Sequence, residues 1–412
     1  MKIFKLSLAT QTFLGMVGGG IVGFIVGPQI VAIQIVGDIF LRLLQMAIVP
    51  LIYVSVTSAI ANMGDISKLG RIGVKTILLF LATSVSASAF GIVLGRLFNP
   101  GRGLVLSDLP PVKALADTPE FSKIVLGMVP TNIMQAMSEA NMLQIILFAL
   151  FSGVAILLLN DKDRQRVSGA FDTLFQFIMK ILRLVILISP YGVFALMAVT
   201  AGKYGAQVIG PLTKFIVALY IGWILHLALF MFLLYFFFTR ANPWVFFKTV
   251  SPIWMTSFST CSTKATMPIA METCENKVGI SKDIVGFTIP LGASTNMDGS
   301  ALWYGVVAIF VSQLVGIEMT ITQQIMAMFV GVLMTVGSTG IPGGTFVTTA
   351  VFLKAMGLPL EVMGLLGGIY RLVDMGLTTM NVMGSVFVTA IVGHLEGNRS
   401  KNKKETVPGQ AL

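Results

Sequence analysis

The sequence predicts an all-α polytopic membrane protein, and three observations carry that expectation. Hydrophobic residues make up 55% of the 412, and the mean hydropathy is +0.88. Charged residues are only 11%, less than half of the roughly 25% that clothes a soluble domain. Apolar stretches able to cross about 30 Å of hydrocarbon as helices recur along the chain. Disorder, a secreted disulfide scaffold and a soluble doubly wound enzyme all fit this composition poorly. Two cysteines, Cys261 and Cys274, close at most one bridge and are too few for a cysteine-rich metal site. The 28 Lys+Arg against 18 Asp+Glu give a formal charge of +10. These charges fall in short clusters between apolar runs, which points to membrane topology and away from nucleic acid.

Six conventional spans are expected near residues 10–33, 37–61, 75–97, 125–158, 170–199 and 208–239. In the first, Gly19, Gly23 and Gly27 recur every fourth residue, giving a smooth packing face on a retained helix rather than a cleaved signal peptide. With the amino terminus in the cytoplasm, the links after spans two, four and six are cytoplasmic. They carry Lys68, Arg71 and Lys75, then Lys162, Arg164 and Arg166, then Arg240 and Lys248. The tail, with Arg399, Lys401, Lys403 and Lys404, places the carboxyl terminus on the same side. Arg102, Lys113 and Lys123 in the opposite-face stretch 99–124 make this bias imperfect.

From Pro243 onward the apolar runs are interrupted. Polar and glycine-rich sequence cuts them at 257–266, at Asn296-Met297-Asp298-Gly299-Ser300 and at 335–345, and Asp374, Thr378, Thr379 and Asn381 punctuate the last one. Backbone that leaves a helix inside a bilayer loses hydrogen bonds that lipid cannot replace, so such breaks belong in a protein-lined cavity. The arms around 257–266 and 335–345 suit two hairpins entering from opposite faces and meeting at their tips, with helix ends facing an anion and unwound carbonyls facing cations. The alternative is two ordinary spans with close-packed Ser, Thr and Gly, but Pro342 followed by Gly343 and Gly344 is poor material for a continuous helix.

Asp298 is a carboxylate at membrane depth, expensive unless it is neutralised, paired or bound to a cation. Beside Asn296, it offers hard oxygen chemistry for an alkali cation; a neutral acid or a structural hydrogen bond is the plainer reading. Asp374 shares a helix face with Thr378 and Asn381, at separations of four and seven residues. Together they could grip an ammonium, a carboxylate or a hydroxyl, unless Arg371 pairs with Asp374 structurally. Lys264 either lends positive charge to an anion site or snorkels to the cytoplasm. Neither His226 nor His394 is near these breaks, and no nucleophile-base motif marks an enzyme.

Three ordered motifs carry a resemblance. Thr288-Ile-Pro-Leu-Gly-Ala-Ser-Thr-Asn-Met-Asp-Gly-Ser300, Gly337-Ser-Thr-Gly-Ile-Pro-Gly343 and Asp374-Met-Gly-Leu-Thr-Thr-Met-Asn381 resemble the dicarboxylate/amino acid:cation symporter family, and the likeness covers most of the chain. It implies eight transmembrane helices plus two re-entrant helical hairpins, discontinuous seventh and eighth segments, a homotrimer and an elevator-like transport domain. Residues 1–74 would be scaffold with the first two spans, and 75–124 the third span and a connection in the transport domain. Residues 125–239 would hold spans four to six, split between the two, 240–394 the transport core, and 395–412 a basic cytoplasmic tail.

By the same resemblance, Asp374 binds a substrate amino group and Asn381 its main carboxylate, with Thr263, Ser300, Ile341, Thr345 and Thr378 around the solute. Asn296, Asp298, Thr83, Ser84, Gly292, Ser294, Thr335, Ser338 and Asn381 supply oxygens to cations, several of them from the backbone. Phe80 stands where a tyrosine is common, and Ser385 where sodium-coupled relatives often carry Asp, which puts one sodium site and the ion ratio in doubt. Leu377 stands where acidic amino acid carriers usually place Arg. That loss argues for a neutral or polar small amino acid, although Lys264 or Arg371 could relocate the charge. The expectation is therefore cation-coupled uptake of such a solute in the cell inner or cytoplasmic membrane, driven by sodium or protons, with both termini cytoplasmic. The partners are membrane lipid and two further copies of the chain; no cofactor and no nucleic acid are expected. A C4-dicarboxylate or acidic amino acid symporter is the alternative within transport, and a substrate-gated anion channel the alternative outside it.

Overall fold

The computed structural model describes residues 8–61, 66–104, 126–127, 129–139, 142–336, 340 and 343–397. These residues form an all-α structure. Among them, Leu14–Phe40, Ile72–Phe98, Ile209–Thr239 and Leu360–Leu395 are long and apolar enough to cross a membrane.

Helix α1 (Leu8–Val26) passes through a 3-10 turn (Gly27–Ile33) into α2 (Gln34–Ala61), and α3 (Ile66–Phe98) follows. A short α4 (Ile133–Ser138), capped by the Asn132 side chain, precedes α5 (Met142–Leu157). The apolar run 125–158 is thus divided between two helices. The run expected at 170–199 is also two helices, α6 (Asp161–Leu187) and α7 (Ser189–Tyr204). They part at Ile188 because Pro190 follows, lacking the N–H that a continuous helix would need. Along α7, Gly15, Gly19 and Gly23 of α1 lie against the backbone at Pro190, Phe194 and Ala198, so the two helices approach closely. Gly27 turns the chain at φ 69, and its carbonyl lies against Gly202 of α7.

Helix α8 (Ile209–Leu225) continues through a π-helical turn (His226–Met231) into α9 (Phe232–Thr239). A first hairpin follows: α10 (Pro243–Thr249), α11 (Ser251–Thr260) and α12 (Thr263–Thr273), with α11 packed on α12. The helix stops only at Cys261 and Ser262, a narrower break than 257–266. Helices α13 (Lys282–Thr295) and α14 (Asp298–Leu314) are separated at Asn296 and Met297. In the second hairpin, α15 (Ile321–Val336) packs on α16 (Gly344–Ala355).

The final helix, α17 (Met363–Leu395), is continuous, which corrects the expected discontinuity in the last segment. Its polar residues are satisfied without unwinding: Thr379 donates to Met375 O at 2.8 Å, Ser385 to Asn381 O at 3.2 Å and Thr389 to Ser385 O at 2.7 Å. Helices α14 and α17 are the axis of the structure. Every residue from Asp298 to Ser312 is buried, and α17 touches α3, α11, α13, α14 and α16. Polar groups carried on such helices are held at depth among packed aromatic side chains, including Trp303, Tyr304 and Phe310.

Candidate functional site

The break before α14 builds the first half of the site. Asn296 and Met297 leave helical geometry, at φ −103 and −120, while Asn296 N–H still closes α13 on Gly292 O at 2.9 Å. The Asp298 carboxylate, 1% exposed, therefore enters from a helix start and meets α3. Thr83 Oγ1 and Ser84 Oγ donate to its Oδ1 at 3.0 and 2.9 Å. Hydrogen bonding assigns the Asn296 amide: its nitrogen donates to Asp298 Oδ1 at 3.0 Å and its oxygen accepts from Ser385 N–H at 3.0 Å.

Asp298 Oδ2 is buried without a hydrogen-bond partner among the described residues. It lies against Gly384, where any β-carbon would overlap it. Hydroxyl and carboxylate oxygens suit a hard alkali cation, or the carboxyl a proton, better than a transition metal. Among the described residues, no three His, Cys, Asp or Glu side chains come together as a metal site.

Other residues are expected in this set. Gly292 abuts Ser385 and the Phe80 ring. Ser294 is half-buried, and Thr335 donates back to Val332 O at 2.6 Å. Ser338 lies outside the described residues.

The second half of the site is joined to the first through α14 and α17. Asn381 Oδ1 accepts from Ser300 N–H at 3.1 Å, and its nitrogen donates to Ser300 Oγ at 3.3 Å. Ser300 Oγ and Thr345 Oγ1, from the second hairpin, lie 2.8 Å apart. Asp374 Oδ1 accepts from Thr378 Oγ1 and from the Tyr370 hydroxyl, each at 3.3 Å, and Oδ2 accepts from Gly343 N–H at 3.1 Å. Gly343 has φ 81, a left-handed turn that glycine adopts without strain. All three donors are neutral.

The hairpin tips meet on the carbonyl of Gly340. Ser262 Oγ, Thr263 Oγ1 and Lys264 N–H point at it from 3.3, 3.1 and 3.3 Å, and Thr263 Oγ1 also lies 3.2 Å from Ala293 O. Ile341 lies outside the described residues. The Lys264 ammonium sits 4.1 Å from the centre of the Phe175 ring on α6. Arg371 forms no ion pair with Asp374, correcting that structural pairing, although it is within electrostatic reach of Asp374 and Cys261. Leu377 is buried, and its carbonyl packs against Gly299.

Three contributors escaped the sequence reading. Tyr370 stands four residues before Asp374 on the same face, a spacing that could have pointed to it. The Gly343 N–H became visible only once the second hairpin was folded. His226, distant from the breaks in sequence, is completely buried with Nε2 2.9 Å from Ser86 Oγ, beside Thr83 and Ser84.

The chain matches the model of the sodium:dicarboxylate symporter family over residues 8–395. It is 32% identical over 422 residues to a "Proton/sodium-glutamate symport protein" of Bacillus caldotenax, covering 97% of both chains. It is 30% identical over 421 residues to the "Proton/glutamate-aspartate symporter" of Escherichia coli (strain K12), covering 98% of this chain and 96% of that one. A "C4-dicarboxylate transport protein 1" of Ralstonia nicotianae is 31% identical over 413 residues, covering 98% and 95%. These likenesses overturn the expectation of a neutral or polar amino acid, because they run the length of the chain and the relatives are named for acidic solutes. The expectation gave the missing guanidinium at Leu377 more weight than the charge that Lys264 or Arg371 could supply in its place.

Proposed function

The chain belongs to the sodium:dicarboxylate symporter family, and from that membership we propose that it is a symporter of an acidic amino acid, glutamate or aspartate. Its work is transport rather than covalent catalysis. The observation that carries the choice of solute is Asp374. Its carboxylate is held by Tyr370, Thr378 and the Gly343 amide, none of which cancels its charge, so it remains a seat for an ammonium group. A solute with two carboxylates and no amine would place a second negative charge against it.

In this reading the main carboxylate goes to Asn381, Ser300 and the hydroxyls of Thr345 and Thr378, with Thr263 and Ile341 completing the enclosure. The side-chain carboxylate goes to Arg371, which has no ion-pair partner among the described residues. Lys264, already seated on Phe175, is the weaker candidate.

Sodium or a proton is the driving cargo. Asp298, Asn296, Thr83 and Ser84 receive it, and neutralising Asp298 reduces the cost of a charge at membrane depth. Gly292, Ser294, Thr335, Ser338 and Asn381 are assigned to cations as further oxygen donors. Asn381 contributes to both halves, so cation binding and substrate binding are coupled through one side chain.

The architecture of the reading is eight spans plus two re-entrant hairpins in a homotrimer of the inner membrane, with residues 240–394 as the transport core and 1–74 as scaffold. Both termini are cytoplasmic. The Lys75–Glu396 ion pair of 2.6 Å supports this side assignment, since it ties the basic first turns of α3 to the residue that follows α17. The test is uptake into proteoliposomes of glutamate, aspartate, succinate and serine, with sodium and proton gradients imposed separately. Accumulation of succinate in preference to both amino acids would replace this reading with C4-dicarboxylate transport.

A further inference from the structure

The Tyr370 side chain does two separable things. Its ring is held by aromatic neighbours, 5.8 Å from Trp303 at an interplanar angle of 85° and 5.1 Å from Phe346 at 48°. Its hydroxyl donates to Asp374 Oδ1 at 3.3 Å and faces Thr345 and the backbone of Phe346. The residue is 7% exposed, so the ring contacts fix where the hydroxyl points. Phe346 and Thr345 belong to α16, so the same side chain links Asp374 to the second hairpin.

The chemistry of the donor matters. A guanidinium or ammonium against Asp374 would form an ion pair and cancel its attraction for an incoming ammonium. A hydroxyl orients the carboxylate and leaves its charge in place. With Tyr370 and Thr378 both on Oδ1, the other oxygen, Oδ2, is turned to Gly343 N–H at the mouth of the second hairpin.

We propose that Tyr370 is a positioning residue for substrate choice: its hydroxyl fixes the Asp374 carboxylate so that Oδ2 faces the substrate amine, making amino-bearing acidic solutes preferred over dicarboxylates of the same length. The inference rests on the acidic amino acid reading and gives its selectivity a specific source. Arg371 governs the attraction for the side-chain carboxylate, which aspartate and succinate share; Tyr370 governs discrimination between them.

The experiment is equilibrium binding of aspartate and of succinate to the purified full-length protein at fixed sodium and pH. The proteins compared are wild type, Tyr370→Phe, Asp374→Asn and the double variant. Phenylalanine preserves the ring contacts, and an unchanged unfolding temperature confirms that the fold is kept. The expected result is a fall in the aspartate-over-succinate preference of about tenfold in Tyr370→Phe, the size of one hydrogen bond to a charged group. In the double variant the preference equals that of Asp374→Asn alone, because the hydroxyl then has no carboxylate to orient. An unchanged preference in Tyr370→Phe, or equal weakening of both ligands, overturns the proposal while leaving the transport reading intact. A wild type that binds succinate but not aspartate, or neither, overturns both.

Discussion

Oδ2 of Asp298 occupies the space that a side chain at position 384 would need. Gly384 therefore backs the carboxylate proposed to receive the cation, and the glycine is required for the approach of a helix to a carboxylate rather than for a turn. In Gly384→Ala the added methyl has to displace Asp298, and overpacking of this kind costs about 1–3 kcal/mol. The concentration of sodium giving half-maximal aspartate binding should rise at least severalfold. A normal sodium titration in this variant would show that the carboxylate is not held where cations bind.

Asp298→Asn keeps the side-chain shape and removes the charge. Thr83, Ser84 and Asn296 remain to hydrogen-bond with it, so the fold should persist. Substrate binding should lose most of its dependence on sodium. Titration of binding against sodium at constant pH decides the matter, and an unaltered curve would remove Asp298 from the cation pocket.

The two candidate cations near the tips should separate cleanly. Arg371→Gln is expected to weaken acidic substrates by about tenfold or more, the range for a lost charge-assisted hydrogen bond. Lys264→Gln, which gives up the contact with Phe175, should change affinity little. Competition binding with aspartate and glutamate measures both; the opposite order would assign the side-chain carboxylate to Lys264.

Thr263→Val tests the meeting of the hairpins. It deletes the hydroxyl directed at Gly340 O and Ala293 O while keeping the branched shape. A buried acceptor left with fewer partners costs about 1–3 kcal/mol, and the loss should appear as a lower unfolding temperature and slower uptake. Wild-type values for both would mean that the tips are held together elsewhere.

The sequence made the chemistry of the site more legible than its geometry. Asp298, Asp374 and Asn381 were conspicuous because polar groups at membrane depth have few reasons to exist. The break at Asn296 was readable from the polar run that follows Thr295 and from Gly299. The break at Ile188 was harder to see, because Pro190 stood in a run whose hydropathy was uninterrupted. The last segment misled in the opposite direction: Asp374, Thr378, Thr379 and Asn381 punctuate it, yet Thr379 returns its hydroxyl to a carbonyl of its own helix, Thr378 turns to Asp374 and Asn381 to Ser300. Asp298 was set beside Thr83 only through the family resemblance, and pairings across long separations, such as Asp374 with the Gly343 amide, depend on the folded path. So does the direction of a flexible side chain, which is why Lys264 was legible as a charge but not as a partner of Phe175. Substrate choice failed because the absent guanidinium at Leu377 was weighed above Arg371, nearly two turns away on the same helix and already a candidate for the relocated charge.

Radiolabelled aspartate uptake by proteoliposomes carrying the purified protein decides whether the Asp374 pocket serves a cation-driven acidic amino acid symporter. With an inward sodium or proton gradient, aspartate should accumulate above its outside concentration, collapse on addition of the matching ionophore and be lost in Asp374→Asn. Serine accumulation without aspartate accumulation, or aspartate that only equilibrates whichever gradient is imposed, would contradict the account.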